Sequence, residues 1–263
     1  MSDPSWTLGS AVSALGPFFA FETHAPGSAV RRPWRPMGEL VASPEVLAGR
    51  VEGVRVQLAA RAGQPAEAVQ LRVAASVAQL GLVARLVSPA LAAAALYGRV
   101  LPVGLGGARW QPLPGGLFPL SLPAPSGPPD APEPVTADES ELARLAAELA
   151  GTLLDGPARE LVRAVAALSV SPQVLWGNVA SAVNGAVTVL AGSPGADRAQ
   201  AHRARRLGAL LLDRPVLRAA AGRDGDGRFR RRNCCLIYRA APAGAGGLCG
   251  DCVLALRRPR QHR

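Results

Sequence analysis

A mainly α-helical protein, α+β at most, is what this sequence predicts: a helical domain with one β-hairpin and a small cysteine-bearing C-terminal subdomain. Three observations carry that reading. Apolar residues recur at helical spacing through most of the chain. Ser-Pro pairs stand at 43–44, 88–89 and 171–172, where Ser suits an N-cap and Pro the first helical position. Strand-like segments are confined to residues 110–122, on either side of Pro114-Gly115-Gly116.

Residues 1–42 show no clear period and are expected to be irregular. Pro44–Ala62 then reads as a helix with Leu47, Val51, Val54 and Leu58 on one stripe. Pro65 starts a second, with Val69, Val73, Val77 and Leu80 among its apolar positions. Pro89–Tyr97 reads as a third, short helix that Gly98 ends. Trp110–Leu113 and Leu117–Leu122 form the hairpin, and Pro112 and Pro119 make it an edge element at best. Six Pro within residues 123–134 imply a stiff linker or surface loop. Helices follow from about Asp138 to Leu154 and from Pro157 to about Val170. Pro172–Ala191 has an apolar face (Leu175, Val179, Ala182, Val183, Ala186, Leu190) and an uncharged polar face (Asn178, Ser181, Asn184, Thr188). That polar face is expected to lie against the C-terminal segment or line a substrate cavity. Ala196–Leu212 is a further helix, and Gly222–Gly227 reads as a flexible connector.

The chain has 263 residues, 49% of them hydrophobic and 18% charged, which excludes wholesale disorder. Aromatics are only 4%, so the core must be built from small side chains. All 29 basic residues other than His are Arg. Without Lys there is no P-loop phosphate lysine, no Schiff base and no kinase-type ATP lysine. Residues 197–263 carry 16 Arg and 5 acidic residues, a net of +11, so the basic character belongs to the last quarter of the chain. The first twenty residues lack a basic n-region and an A-x-A site, so the expected location is the cytoplasm. The uncharged stretch 164–196 is broken by Pro172 and carries Asn178 and Asn184. It reads as buried helix rather than a transmembrane segment, leaving at most peripheral membrane contact.

Gly104-Leu105-Gly106 and Gly244-Ala245-Gly246 each begin a dinucleotide fingerprint, but Arg109 and Cys249 stand where its third glycine belongs. The three His residues (His24, His202, His262) are far apart in sequence. Asp138, Glu139 and Glu141 suit a helix N-terminus, not an acid–base site. Little material for hydrolytic or acid–base catalysis remains.

All four cysteines lie within 19 residues: Cys234, Cys235, Cys249 and Cys252. C-x-x-C places two thiolates on one metal, and a kink at the vicinal pair can supply two more. Four thiolates suit an Fe–S cluster or a structural zinc. Zinc usually takes two C-x-x-C pairs, and a vicinal pair is unusual for it. Arg230, Arg231, Arg232, Arg239, Arg257 and Arg258 surround the cysteines in sequence. Cations there favour the more negative, reduced state of a cluster and offer a docking face to an anionic partner.

The run Arg-Asn-Cys-Cys-Leu-Ile-Tyr-Arg at 232–239, with Leu-Cys-Gly-Asp-Cys at 248–252, resembles the C-terminal [2Fe–2S] motif of ferric-siderophore reductases of the FhuF type. Ser-Pro-Gln-Val-Leu-Trp-Gly-Asn at 171–178 and Ser88-Pro89 upstream of Trp110 are similar to that family too. The loop from Cys235 to Cys249 is a few residues longer than the family usually has. The resemblance implies a [2Fe–2S] cluster held by Cys234, Cys235, Cys249 and Cys252. It also implies a mainly helical reductase domain at 1–227 with the Pro-rich loop, and a [2Fe–2S] subdomain at 228–263. The implied activity is one-electron reduction of a ferric siderophore, with electrons from a partner protein such as a ferredoxin and no nucleic acid involved. The competing reading is a zinc-stapled basic module that contacts nucleic acid or an acidic protein. It lacks the aromatics among its Arg runs that a single-strand stacking platform needs.

Overall fold

The computed structural model describes residues 7–113, 117–125, 138–194, 197–242 and 246–254. The hairpin turn at 114–116, most of the Pro-rich segment, Gly244-Ala245, and Arg257 and Arg258 lie outside them. The fold is mainly helical, as the periodicity predicts. Its elements are α1 Leu8–Ser13, β1 Glu22–His24, β2 Arg35–Pro36, α2 Glu39–Ala42, α3 Pro44–Arg61, α4 Leu71–Tyr97, β3 Arg109–Trp110 and β4 Leu120–Pro123. There follow α5 Glu139–Leu149, α6 Arg159–Ala166, α7 Pro172–Gly192, α8 Arg198–Leu212, α9 Pro215–Arg218, β5 Ala221–Arg223 and β6 Phe229–Arg231. A 3₁₀ turn at Ile237–Ala240 carries the chain from one cysteine pair toward the other.

At the centre stands α4, 27 residues long and so roughly 40 Å from end to end. It packs against α3, α7 and α8. The Ala run from Ala92 to Ala95 is fully buried, and such small side chains let neighbouring helices approach closely. α4 corrects two expectations. Pro65 precedes only a 3₁₀ turn at Ala66–Ala68, and the helix starts at Leu71. Ser88-Pro89 does not begin a helix but lies inside this one, buried. Pro costs an interior helix about 3 kcal/mol. Burial of the flanking Leu86, Val87, Leu91 and the alanines offsets that, at about 1.5–3 kcal/mol per large apolar side chain. Gly98 ends α4 in the left-handed conformation at φ 60°. Arg203 of α8 reaches across and donates from Nε to the Ala95 carbonyl at 2.9 Å, placing a cation on the C-terminal pole.

The remaining helices fall close to their expected ranges. α5 is capped by Asp138, whose side chain accepts from Ser140 N. The break before Pro157 survives only as a kink at Gly156 within a π-helical segment, Ala150–Ala158, that joins α5 to α6. Asp197 and Gln200 form a capping box on α8. Among the described residues, α4 and α7 are the two helices long and apolar enough to cross a membrane. The more apolar stretch of α4 is 72% buried within the protein, as suits a core helix.

The first forty residues are not irregular throughout. β1 pairs in parallel with β4 (Glu22 opposite Ser121), giving a four-stranded sheet of order β1-β4-β3-β2. The predicted hairpin is present as β3 and β4, with Trp110 opposite Leu120. It occupies the centre of that sheet rather than an edge, because Pro112 and Pro119 fall outside the paired residues. Trp110 is fully buried, edge-on to Phe118 with ring centroids 5.7 Å apart, and donates from Nε1 to Glu39 Oε1 at 2.9 Å. Gly222–Gly227 is not a connector. It contributes to the β5–β6 hairpin, whose turn is tied by Asp224 Oδ1 accepting from the backbone N–H groups of Asp226 and Arg228. The division expected at 227/228 thus falls between two paired strands.

Where α7 meets α8, Gly208 lies so close to Val187 that a Cβ there would overlap Val187 Cγ2. Gly208→Ala is expected to destabilise by about 1–3 kcal/mol despite its better helix propensity. Adding Val187→Ala should recover part of the loss, and urea unfolding of the three variants measures both.

Candidate functional site

The four cysteines are carried by short loops laid on the N-terminal part of α4 and on α7. Ser76 of α4, fully buried, donates from Oγ to the Cys235 carbonyl at 2.9 Å. Ser76 is itself held by Asn178 of α7, whose Nδ2 donates to the Ser76 carbonyl at 2.9 Å and to Gln79 Oε1 at 2.8 Å. Gln64 fixes the other side, donating to the Ala240 carbonyl at 2.6 Å. A small apolar cluster of Ala59, Val69, Val73 and Ala240, with Leu236 against it, supports the 3₁₀ turn from below. Two stripe residues of the predicted second helix, Val69 and Val73, therefore pack under the cysteine segment.

The chain turns sharply just after the vicinal pair. Leu236 takes the left-handed conformation at φ 71°, and its N–H points back to Cys234 Sγ at 3.3 Å. An L residue adopts that region at a cost, so the surroundings must hold it there. Gly246 lies 3.1 Å from the Tyr238 carbonyl through its N–H, and a Cβ there would stand 2.5 Å from that oxygen. Only glycine permits this return of the loop toward Cys249.

All four cysteines are free thiols and stand as two pairs. Cys235 Sγ and Cys249 Sγ are 3.5 Å apart, and Cys234 faces Cys252. Each pair joins a buried residue (Cys235, Cys252) to a half-buried one (Cys249, Cys234). Two pairs of soft thiolates suit two metal centres side by side. The Cys235 thiol is pushed down to about 6 by its bond with Cys249, aided by the Ile237 N–H and the Arg231 charge. Cys249, which must keep the shared proton beside that anion, is pushed up.

Part of the polar face of α7, Ser181 and Asn184, meets the C-terminal segment, while Asn178 turns to α4 and Thr188 is exposed. Asn184 Nδ2 lies 3.4 Å from Asp251 Oδ1, Asn178 anchors Ser76, and the Asp251 carboxylate also faces Ser181. Burial raises the Asp251 carboxyl, opposed by Ser181, Arg231 and Arg230.

The arginine run at 230–232 is not one basic patch. Arg230 pairs with Asp224 at 2.9 Å and donates to the Gly250 carbonyl. Arg232 donates to the Arg218 carbonyl at 3.2 Å. Arg231 is buried, 2% exposed, and donates from Nη2 to the Val174 carbonyl at 2.8 Å. The run was expected to present a docking face, but strand alternation on β6 turns its middle member inward. The sequence reading missed Ser76, Gln64 and Gly177. The only sequence signals of Ser76 and Gly177 are a polar and a glycine position inside apolar helices, and Gln64, in the turn after α3, carries none.

A protein-family model described as the FhuF 2Fe-2S C-terminal domain matches residues 231–254. No curated protein matches the chain. The matched residues span all four cysteines together with Arg231. The cofactor of this segment is a [2Fe–2S] cluster, and the paired free thiols fit it.

Proposed function

We propose that this protein is a cytoplasmic ferric-siderophore reductase that passes one electron to iron held by a hydroxamate or catecholate chelate. One observation carries the reading: the four thiols of the matched 2Fe–2S segment stand as two pairs, each with one half-buried member. When bound, the cluster supplies one electron at a time. Cys234, Cys235, Cys249 and Cys252 hold it. Ser76 and Asn178 keep the vicinal pair rigid through the Cys235 carbonyl. The half-buried sulfurs Cys234 and Cys249 form the accessible rim where a chelate approaches. Hard oxygen donors hold Fe(III) far better than the softer Fe(II), so one electron is enough to loosen the iron. No protein acid or base is needed, which accounts for the scarcity of such residues.

A cleft of about 530 Å³ lined by Arg99, Arg144 and Glu148 is not the site of this chemistry. It adjoins Gly98, at the opposite end of α4 from Ser76 and roughly 33 Å away at 1.5 Å per residue. Electrons reach the cluster from a partner protein such as a ferredoxin. The first half of the test is composition: anaerobically isolated protein should hold about two irons and two acid-labile sulfides. The second is mixing the reduced protein with a ferric trihydroxamate and an Fe(II)-trapping dye. Dye–iron complex forming at one equivalent per protein supports the reading. Stoichiometric zinc without sulfide, or a reduced protein that the chelate does not reoxidise, would overturn it.

A further inference from the structure

Arg231 occupies a notch made by one missing atom. A Cβ at position 177 would stand 2.9 Å from Arg231 Nη2, 3.1 Å from Nε and 3.3 Å from Cζ. Only Gly177, itself buried within α7, lets the guanidinium lie flat on the helix. One end is fixed by the Val174 carbonyl. The Nε–H, buried, has no partner among the described residues. Buried donors are rarely left unused, and an opposite charge nearby offsets the cost of burying a cation. The ionisable groups that bear on this guanidinium are the thiols of Cys235, Cys249 and Cys234, which become anions when they ligate a metal, and the Asp251 carboxyl. The backbone adds a further tether, since the Arg231 N–H bonds the Asp251 carbonyl at 3.1 Å.

We propose that Arg231, seated against Gly177, is the fixed internal counter-charge of the cluster and sets its reduction potential, with the unused Nε–H as a donor reserved for a sulfur acceptor. The inference rests on the four cysteines holding a [2Fe–2S] cluster. Arg231 is a positioning and tuning residue, not a docking one. A four-thiolate cluster gains one negative charge on reduction. A cation held in low dielectric favours that state, and being buried it is screened little by salt. Arg230 and Arg232, engaged with Asp224 and the Arg218 carbonyl nearer the surface, should tune the potential much less.

The test is an anaerobic redox titration of the purified holoprotein at low and high ionic strength, without any partner. Arg231→Gln should lower the midpoint potential, by a shift that persists at high salt. Arg231→Lys should lie between Gln and wild type. Gly177→Ala, which keeps the charge but displaces the guanidinium, should also lower the potential, by less. A purely structural role would lower the melting temperature of these variants and leave the potential in place. A loaded Arg231→Gln protein with the wild-type potential would overturn the proposal. If Arg231→Gln fails to load, Gly177→Ala decides in the same way: a lowered potential supports the proposal and an unchanged one overturns it. Wild-type protein that binds no iron and sulfide would instead bring down the cluster reading beneath it.

Discussion

Changing any one of Cys234, Cys235, Cys249 or Cys252 to Ser is expected to cost the protein nearly all of its iron, its acid-labile sulfide and its visible absorption. Each sulfur has a distinct place, so none can substitute for another. Cys235 and Cys252 are 2% and 1% exposed, and a buried hydroxyl there is a hard, poorly ionised ligand in place of a soft thiolate. Cys234 and Cys249 are half-buried, so their Ser variants should load poorly and release iron fastest on exposure to air. Stability should follow occupancy, because a cofactor bound only by the folded state stabilises it. Melting temperature should therefore fall in step with iron content across the four variants. A single variant with wild-type iron, sulfide and spectrum would remove that residue from the ligand set.

Arg85→Met is expected to be the most damaging change away from the cysteines, at about 3–5 kcal/mol, the cost of leaving three carbonyls without their charged donor. Arg85 is 2% exposed on α4 and donates to the carbonyls of Pro17 at 2.9 Å, Phe18 at 2.8 Å and Phe118 at 3.2 Å. It also lies over the Phe118 ring. One guanidinium thus ties the N-terminal loop and the segment before β4 to the central helix. Burial pushes Arg85 down to about 10, which still leaves it charged at neutral pH. Met matches its length without its donors, so the three carbonyls lose their partner together. Urea unfolding measures the loss, and a cost below about 1 kcal/mol would mean that water replaces the guanidinium at little penalty. Iron content should survive where the variant stays folded, because Arg85 lies nine residues beyond Ser76 along α4 and touches none of the cysteine loops.

Local pattern alone was enough for most of the helices. The stripe Leu47, Val51, Val54 and the face Leu175, Val179, Val183 bury as their spacing implies, because helix periodicity and burial are the same fact seen twice. Gly98 and Asp138 mark helix ends for reasons confined to one turn. The candidate ligand set was equally legible, since four clustered cysteines in a chain without Lys and with three His leave little else for chemistry. What the sequence could not show was any contact made across the fold. Ser88-Pro89 carries the same local signal as Ser43-Pro44 and Ser171-Pro172, and only the apolar surroundings of α4 turn it into helix interior. β1 pairs with a strand about a hundred residues away, a partnership that three residues cannot announce. Arg230, Arg231 and Arg232 are identical in type and adjacent. One pairs with an aspartate, one lies on a glycine of α7, and one reaches a carbonyl. The division of four thiols into two pairs also came only with the tertiary structure. Composition determined that thiolates and cations would meet at this end of the chain. Which sulfur faces which, and which cation is buried among them, was decided by the packing of α4 and α7, because burial and electrostatic strength depend on neighbours that sequence distance does not encode.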